Sequence, residues 1–310
     1  MYEVNKLNKE KLYNKFLEYI PKGLIKIDEP MKKHTTFKIG GPVDIFISPS
    51  NKEQIKYALK ICRENEIPFY LMGNGSNLLV RDKGFRGVII QIFKNMSKVE
   101  ITEDKVWAEA GILLSSLANK IKDNSLTGFE FAAGIPGTLG GAVYMNAGAY
   151  DGEIKQVLEN AELLDENGNE IVLSNEELEL GYRTSILQRN NYILLSARLK
   201  LKKGNKKEIE EKMNYLAQQR ADKQPINMPS AGSTFKRPPG YYAGKLIMDS
   251  GLRGYCIGGA EVSQKHCGFI INKDNATAKD VIDLIEFVQG TVYDKYCVKM
   301  EPEIKIIGEE

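Results

Sequence analysis

The chain has 310 residues, is 42% hydrophobic and 27% charged, and carries a formal net charge of +2. That length gives room for about two domains, the composition is that of an ordinary globular protein, and the near-neutral balance excludes a whole-molecule attraction to nucleic acid. No apolar run is long enough to cross a membrane, the charged opening stretch MYEVNKLNKEKLYNKFLEYI lacks the apolar core of an export signal, and four scattered cysteines with two histidines argue for reduced cytoplasmic thiols and against a metal site.

Leu7, Leu12, Tyr13, Phe16, Leu17 and Ile20 recur at helical spacing, and Pro21 ends that helix. Gly40-Gly41-Pro42 reads as a turn, and VDIFI as a short strand stopped by Pro49. Ser50 reads as the N-cap of a helix that places Ile55, Leu59 and Cys62 on one face. IPFYLM, LLVRD, GVIIQI and KVWAEAG have strand character, GNGSN is a turn, and LLSSLANKIKDN is a helix. Asp165-Glu166-Asn167-Gly168 is the turn of a hairpin between AELL and IVL. YILLSARLKLKK reads as a long strand, with KGNKK as the linker after it. Ile209, Met213, Leu216 and Ala217 mark a helix that ends near Pro225. Thr277 with Asp280 opens a helix whose apolar side carries Val281, Ile282, Leu284, Ile285 and Val288, and KMEPEIKII is a final strand. Interleaved elements of both kinds, without an internal repeat, define an α+β chain.

Gly73-Asn74-Gly75-Ser76-Asn77 follows a strand, as a dinucleotide fingerprint does, but Leu78 stands where a third glycine belongs and a strand follows instead of a helix. What survives is a tight turn whose N–H groups can form an anion nest. Gly134-Ile-Pro136-Gly137-Thr138-Leu-Gly140-Gly141, followed by Ala142, is more specific. Pro136 suits a first helical position, which would offer the N–H groups of Gly137 and Thr138 to an anion. Gly140 and Gly141 each weaken a helix by roughly 1 kcal/mol against alanine, a loss tolerated where another surface must touch the backbone. Close helix–strand packing accounts for one such glycine and strains to account for four. Two such loops could cradle one diphosphate and a flat ring. The missing fingerprint directs that reading toward a flavin in another fold.

The second half carries different chemistry. Gly181-Tyr182-Arg183 sets a guanidinium beside a tyrosine, although a surface arginine on a loop has the same pattern. Ser233 follows a glycine and precedes Lys236 and Arg237, but GxSxG is absent and two histidines leave little scope for a Ser–His triad. Glu301 and Glu303 share a face by strand alternation, which a solvated edge also explains. Gly240-Tyr-Tyr-Ala-Gly244-Lys245 is one residue short of a phosphate loop.

The stretches GNGSNLLV, GIPGTLGGAVYMNAGAYDGEI, YRTSIL, AGSTFKRP and EPEIKIIGE occur in this order, and together they closely resemble the UDP-N-acetylenolpyruvoylglucosamine reductase family. The resemblance runs from HTTFKIGG to the end of the sequence. It implies an FAD-binding fold of the vanillyl-alcohol-oxidase (PCMH) type in two subdomains, with a C-terminal α+β substrate domain. The expected boundaries are 1–29 for an N-terminal helical segment, 30–203 for the FAD-binding domain and 204–310 for the substrate domain. Gly73, Asn74, Gly75, Ser76, Asn77, Gly134, Pro136, Gly137, Thr138, Gly140, Gly141 and Ala142 are then expected against FAD. Arg183, Ser233 and Glu303 match the family's catalytic set.

The resemblance further implies reduction of FAD by NADPH, hydride transfer from flavin N5 to the methylene carbon of the enolpyruvyl ether, and a proton from Ser233. Arg183 and Glu303 would hold and polarise the carboxylate toward which charge builds. Lys223, Lys236, Arg237 and Arg253 are candidates for the UDP diphosphate, Lys236 first because it lies in the serine motif. Asn146, Tyr150 and Tyr182 are expected on the substrate side, and Tyr241 or Tyr242 over the uridine. Some members close the site with a tyrosine on an inserted loop. Between Arg183 and Ser233 there is a strand and a helix and no room for one, so the chain resembles the shorter subtype. Expected partners are a UDP-sugar and NADPH, in the cytoplasm, with neither nucleic acid nor metal. An FAD oxidase using oxygen and a nucleotide-sugar-binding module without turnover are the competing readings.

Overall fold

A computed structural model describes residues 9–310. The chain divides between two compact units. One takes in residues up to Lys26, Phe46–Asn74 and Val88–Gln219; the other takes in Ile27–Ile45, Gly75–Gly87 and Arg220–Glu310. The strands Ile25–Pro30, Pro42–Ile47 and Phe85–Gln91 therefore each begin in one unit and end in the other. Contiguous domains at 1–29, 30–203 and 204–310 do not describe this arrangement. A physical reason is β-pairing at long range: Leu78–Val80 finds its partner in Lys305–Ile307, side by side and parallel. Sequence order alone does not reveal that partnership.

The first unit is built on a five-stranded antiparallel sheet in the order Glu170–Ser174, Leu158–Leu164, Ile193–Lys200, Lys105–Glu109, Val99–Thr102. The expected hairpin is present. Leu164 pairs with Glu170, and the Asp165 carboxylate accepts hydrogen bonds from the N–H groups of Asn167 and Asn169, both at 2.8 Å. Ile193–Lys200 is buried along most of its length, as a central strand should be. The expected long strand stops at Lys200, and only Lys202–Lys203 resumes pairing. Phe69–Met72 pairs in parallel with Phe85–Gln91, and the helix Lys52–Glu64 precedes it in the chain. Asn51 caps that helix by accepting from the Gln54 N–H at 2.9 Å, one residue later than expected. Ser50 instead donates its main-chain N–H to the Gln54 side chain. The N-terminal helix spans Lys9–Leu17 and buries Leu12 and Phe16; Leu7 lies outside the described residues.

The second unit contains a three-stranded antiparallel sheet, Cys256–Ile257, Ala260–Val262 and Ile270–Asn272. Its longest helix, Ala278–Tyr296, buries Val281, Leu284, Ile285, Val288 and Val292 in the same core as Ala260, Val262 and Ile270. The expected Thr277/Asp280 capping box is formed. It is joined by a distant residue: the Asp82 carboxylate accepts from the N–H groups of Ala278 at 2.8 Å and Lys279 at 3.0 Å. These are the donors a helix cannot satisfy internally, and a negative charge there also suits the helix dipole. The final strand is shorter than expected, Lys305–Ile307, because Glu301 and Pro302 pair with the segment around Phe235 instead. Among the described residues no helix is long and apolar enough to cross a membrane.

Two stability predictions follow from these contacts. Replacing Asp82 with alanine removes an acceptor for two helix N–H groups and should cost about 1 kcal/mol, measured as a lower denaturation midpoint; an unchanged midpoint would show that water replaces the carboxylate without loss. Glu130 makes the second. It is buried beside Lys212 at 3.3 Å and accepts from the Thr127 hydroxyl at 2.6 Å and the Gly128 N–H at 3.1 Å. Burial pushes its carboxyl up, but the hydrogen bonds and the ammonium outweigh that and hold it below its ordinary value. A depressed carboxyl contributes stability that is present above its unfolded-state value, near pH 4.5, and is lost as the pH falls through the folded-state value. Melting temperature should therefore drop more steeply on acidification in the wild type than in Glu130→Gln. Parallel curves would remove Glu130 from the acid response.

Candidate functional site

Gly73 and Asn74, the start of one glycine-rich loop, meet the other loop within the first unit. Gly73 sits against the Thr138 hydroxyl, where an added Cβ would come within 2.3 Å of Oγ1. The Asn74 side chain donates to the Pro136 carbonyl at 2.9 Å. Gln91, buried behind the loop, donates to the Gly73 carbonyl at 3.0 Å. The loops thus touch at Gly73 and Asn74; of the two expected helix donors, the Gly137 N–H is taken, while among the described residues no acceptor pairs with that of Thr138. The helix starts at Leu139, not at Pro136, and Thr138 is its N-cap, with an extended backbone and a hydroxyl that accepts from the Gly141 N–H at 3.3 Å. The Leu139 and Gly140 N–H groups are taken by the carbonyls of Ile112 and Ala110, and that of Gly137 by Ile135. The opposite loop is different. Among the described residues, no acceptor pairs with the N–H groups of Asn74, Gly75 or Ser76. Unspent main-chain donors in a small-residue turn are what a bound anion requires.

The glycines of the helix divide by role. A Cβ on Gly140 would lie 3.2 Å from the Ala110 carbonyl oxygen, so helix–strand packing explains that glycine. A Cβ on Gly141 would meet nothing nearer than Thr138 Oγ1 at 3.7 Å, ordinary contact. Gly141 is exposed, as are Gly134 and Pro136. No protein neighbour requires its missing side chain, so the bare helix surface fits a flat group laid against it. Ala142 is buried and faces the interior.

Arg183 also belongs to the first unit. It stands in a tight turn closed by reciprocal main-chain bonds between Gly181 and Thr184, 3.1 and 3.3 Å. Its backbone is left-handed, φ 56°, and its guanidinium lies over the Tyr182 ring, 5.4 Å from the centroid. Asn146, expected on the substrate side, is 2% exposed and spends its side chain within the protein: Nδ2 donates to the Gly181 carbonyl and to Glu153, and Oδ1 accepts from the Lys155 N–H. Tyr150 is presented outward by a two-residue hairpin turn in which both it and Asp151 have positive φ, 51° and 63°. Non-glycine residues occupy that turn only at a cost in strain. Two phenols are raised here: burial, with Tyr144 nearby, pushes the Tyr70 hydroxyl up to about 12, and burial raises that of Tyr144, a residue of the glycine helix.

Ser233 and Glu303 come together in the second unit. The Glu303 N–H donates to the Thr234 carbonyl at 2.8 Å, the Lys236 N–H donates to the Glu301 carbonyl at 2.9 Å, and Phe235 bridges Pro302. Thr234 is 1% exposed, and its hydroxyl accepts from the Ile270 N–H at 3.0 Å. Ser233 beside it is half-buried, and among the described residues its hydroxyl has no hydrogen-bond partner. Asn77 donates to the Glu303 carbonyl at 3.1 Å and accepts from the Lys305 N–H at 3.0 Å. Thr36 ties the Gly75 carbonyl, through its N–H at 3.2 Å, to the Ser230 carbonyl, through its hydroxyl at 2.6 Å.

The four expected diphosphate residues are not gathered at one point by any shared contact. Lys236 is ion-paired with Glu301. Arg237 donates to the Tyr241 carbonyl at 3.2 Å and lies 4.0 Å from the Tyr242 ring centroid. Arg253 donates to the Gln264 carbonyl at 2.7 Å. Lys223 is exposed at the end of the helix Lys206–Lys223. Thr36, Gln91, Thr234, Ser185 and Gln188 escaped the sequence reading. Thr36 had a signal in HTTFKIGG. Ser185 and Gln188 had one in their positions two and five residues beyond Arg183, at the start of the short helix Ile186–Asn190.

Comparison with known proteins bears on the whole chain. Residues 43–174 match the model of an FAD binding domain, and residues 224–307 that of the UDP-N-acetylenolpyruvoylglucosamine reductase C-terminal domain. A UDP-N-acetylenolpyruvoylglucosamine reductase of Alkaliphilus oremlandii is 54% identical over 304 residues, 98% of this chain and 100% of that one. The crystal structure of the Thermus caldophilus UDP-N-acetylenolpyruvylglucosamine reductase superposes with a TM-score of 0.79 at 35% identity, covering 92% of this chain and 100% of that chain. A grass pollen allergen with glucose dehydrogenase activity shares the fold alone, with a TM-score of 0.50 at 15% identity over 63% of this chain and 44% of its own. The fold is thus the α+β FAD-binding type, and the chain belongs to the UDP-N-acetylenolpyruvoylglucosamine reductase family.

Proposed function

We propose that this chain is an FAD-containing, NADPH-dependent reductase that converts the enolpyruvyl ether of UDP-N-acetylenolpyruvoylglucosamine to the lactyl ether of UDP-N-acetylmuramate, in peptidoglycan synthesis. Family membership supports the reaction class. The observation that carries the residue assignment is the main-chain zipper that sets Ser233, with its unpartnered hydroxyl, beside Glu303.

FAD, when bound, supplies the hydride donor for the methylene carbon. The residues that would hold it in the first unit are Asn74, with its unspent N–H group, and Gly141, with its bare helix surface. The remaining chemistry belongs to side chains. Adding hydride to the methylene carbon moves negative charge toward the carboxylate. Arg183 stabilises that charge as it develops, in a site where oriented donors act more strongly than in water. In its acid form Glu303 would donate a hydrogen bond to the same carboxylate. Ser233 delivers a proton to the adjacent carbon and so sets its configuration. A serine hydroxyl is a weak acid, and half-burial with no competing acceptor among the described residues leaves that proton for the substrate. Lys236 meets the diphosphate only by giving up part of its pairing with Glu301.

The purified holoprotein should be yellow, bleach anaerobically with NADPH, and regain colour on adding the enolpyruvyl sugar nucleotide. Re-oxidation by oxygen alone at a comparable rate would favour an oxidase, and a protein that takes up no FAD would sink the enzyme reading. Ser233→Ala should leave bleaching by NADPH intact and slow re-oxidation by substrate on the order of a hundredfold or more; equal losses in both half-reactions would make Ser233 structural. Gly141→Ala should leave the FAD-free protein at least as stable, since the added methyl has room, yet weaken FAD binding by about tenfold through overpacking against the cofactor. Fluorescence titration reads that affinity, and an unchanged value would remove Gly141 from the flavin surface.

A further inference from the structure

We propose that Gln188, seconded by Asn146, is a positioning residue that holds the Arg183 turn against the end of the glycine-rich helix and so aims the guanidinium. The proposal rests on Arg183 acting on the substrate carboxylate. The Gln188 side-chain amide donates two hydrogen bonds from one nitrogen, to the Tyr144 carbonyl at 2.8 Å and to the Arg183 carbonyl at 3.0 Å. Tyr144 is in the last turn of the helix Leu139–Met145. Gln188 therefore ties the arginine's own peptide group to the C-terminal end of the helix that Gly140 and Gly141 open. Ser185, fully buried, donates to the same Tyr144 carbonyl at 2.8 Å. Asn146 caps that helix in a left-handed conformation and reaches the other side of the turn, the Gly181 carbonyl, at 3.1 Å. Carbonyls on both sides of the turn are thus held by side chains from two different elements.

This fastening bears on the arginine because its backbone is left-handed, φ 56°. A residue with a Cβ does not rest there without support, and release toward negative φ would swing the side chain away. The Asn146 amide shares its nitrogen between Gly181 and Glu153, and its oxygen is committed to Lys155. Fastened in this way, the guanidinium keeps a fixed relation to the helix carrying the bare glycine surface. Reach and orientation at a developing charge matter steeply, a displacement of an ångström being enough to lose about two orders of magnitude in rate.

The test uses holoenzyme reduced with dithionite, so that the readout does not depend on NADPH, and follows re-oxidation by the enolpyruvyl sugar nucleotide in a stopped-flow instrument. Gln188→Leu should slow re-oxidation roughly ten- to hundredfold without changing FAD affinity. In an Arg183→Ala background the same substitution should add nothing, because the group it positions is gone. Gln188→Glu should be slow at neutral pH, where a carboxylate cannot donate to either carbonyl, and should recover part of the rate, relative to wild type at the same pH, as acidification gives it one O–H to donate. A full additional loss on top of Arg183→Ala, or weaker FAD binding alongside slower re-oxidation, would overturn the positioning role while leaving the function intact. Arg183→Ala re-oxidising at the wild-type rate would remove Arg183 from the chemistry and this proposal with it.

Discussion

Two main-chain hydrogen bonds, from Glu303 to Thr234 and from Lys236 to Glu301, set the register on which the chemistry of the second unit depends. In that register Phe235 lies opposite Pro302 and Thr234 opposite Glu303, which leaves Ser233 one residue along the chain from the residue facing Glu303. The register is protected from one side by Thr234, whose buried hydroxyl is committed to Ile270, and from the other by Asn77, which grips the Glu303 carbonyl and receives the Lys305 N–H. Neither residue needs to touch a substrate for its loss to be felt there. The serine stays unpartnered because its neighbours absorb the structural bonding.

A similar division of labour separates the main-chain donors of the two glycine-rich loops. The donors at the start of the glycine-rich helix are consumed by Ala110, Ile112 and Thr138, whereas those of the Asn74–Ser76 turn are not. A buried amide without an acceptor is costly, so a turn that keeps several unspent is stabilised by whatever it binds. Gly140 answers to a protein neighbour and Gly141 does not. Apparently equivalent glycines thus separate into one that builds the wall and one that leaves room in front of it.

Much of this was legible in the sequence. Period and punctuation located the sheet strands and the helices, and the Thr277/Asp280 pair announced its capping box because capping is local chemistry. The two glycine loops were recognisable as a cradle because small residues without charge have few other uses. What stayed hidden depends on distant partners. Thr138 pairs with Leu113 across the chain, which moves the helix start three residues past Pro136. Asn146 looks like a ligand-facing polar residue until its three hydrogen bonds are drawn. Lys236 looks like a free cation until Glu301 is placed beside it. Asp82, far from the helix it caps, carries no local sign of that duty.

The passage of three strands from one unit to the other has a consequence for inheritance. The shortest contiguous stretch that contains the whole second unit runs from Ile27 to Glu310, and it takes nearly all of the first with it. No single cut releases a complete half, and no single splice delivers one. A gene fragment from residue 220 onward would carry the residues of the serine–glutamate zipper but leave behind Asn77, which holds the Glu303 carbonyl, and Asp82, which caps the long helix.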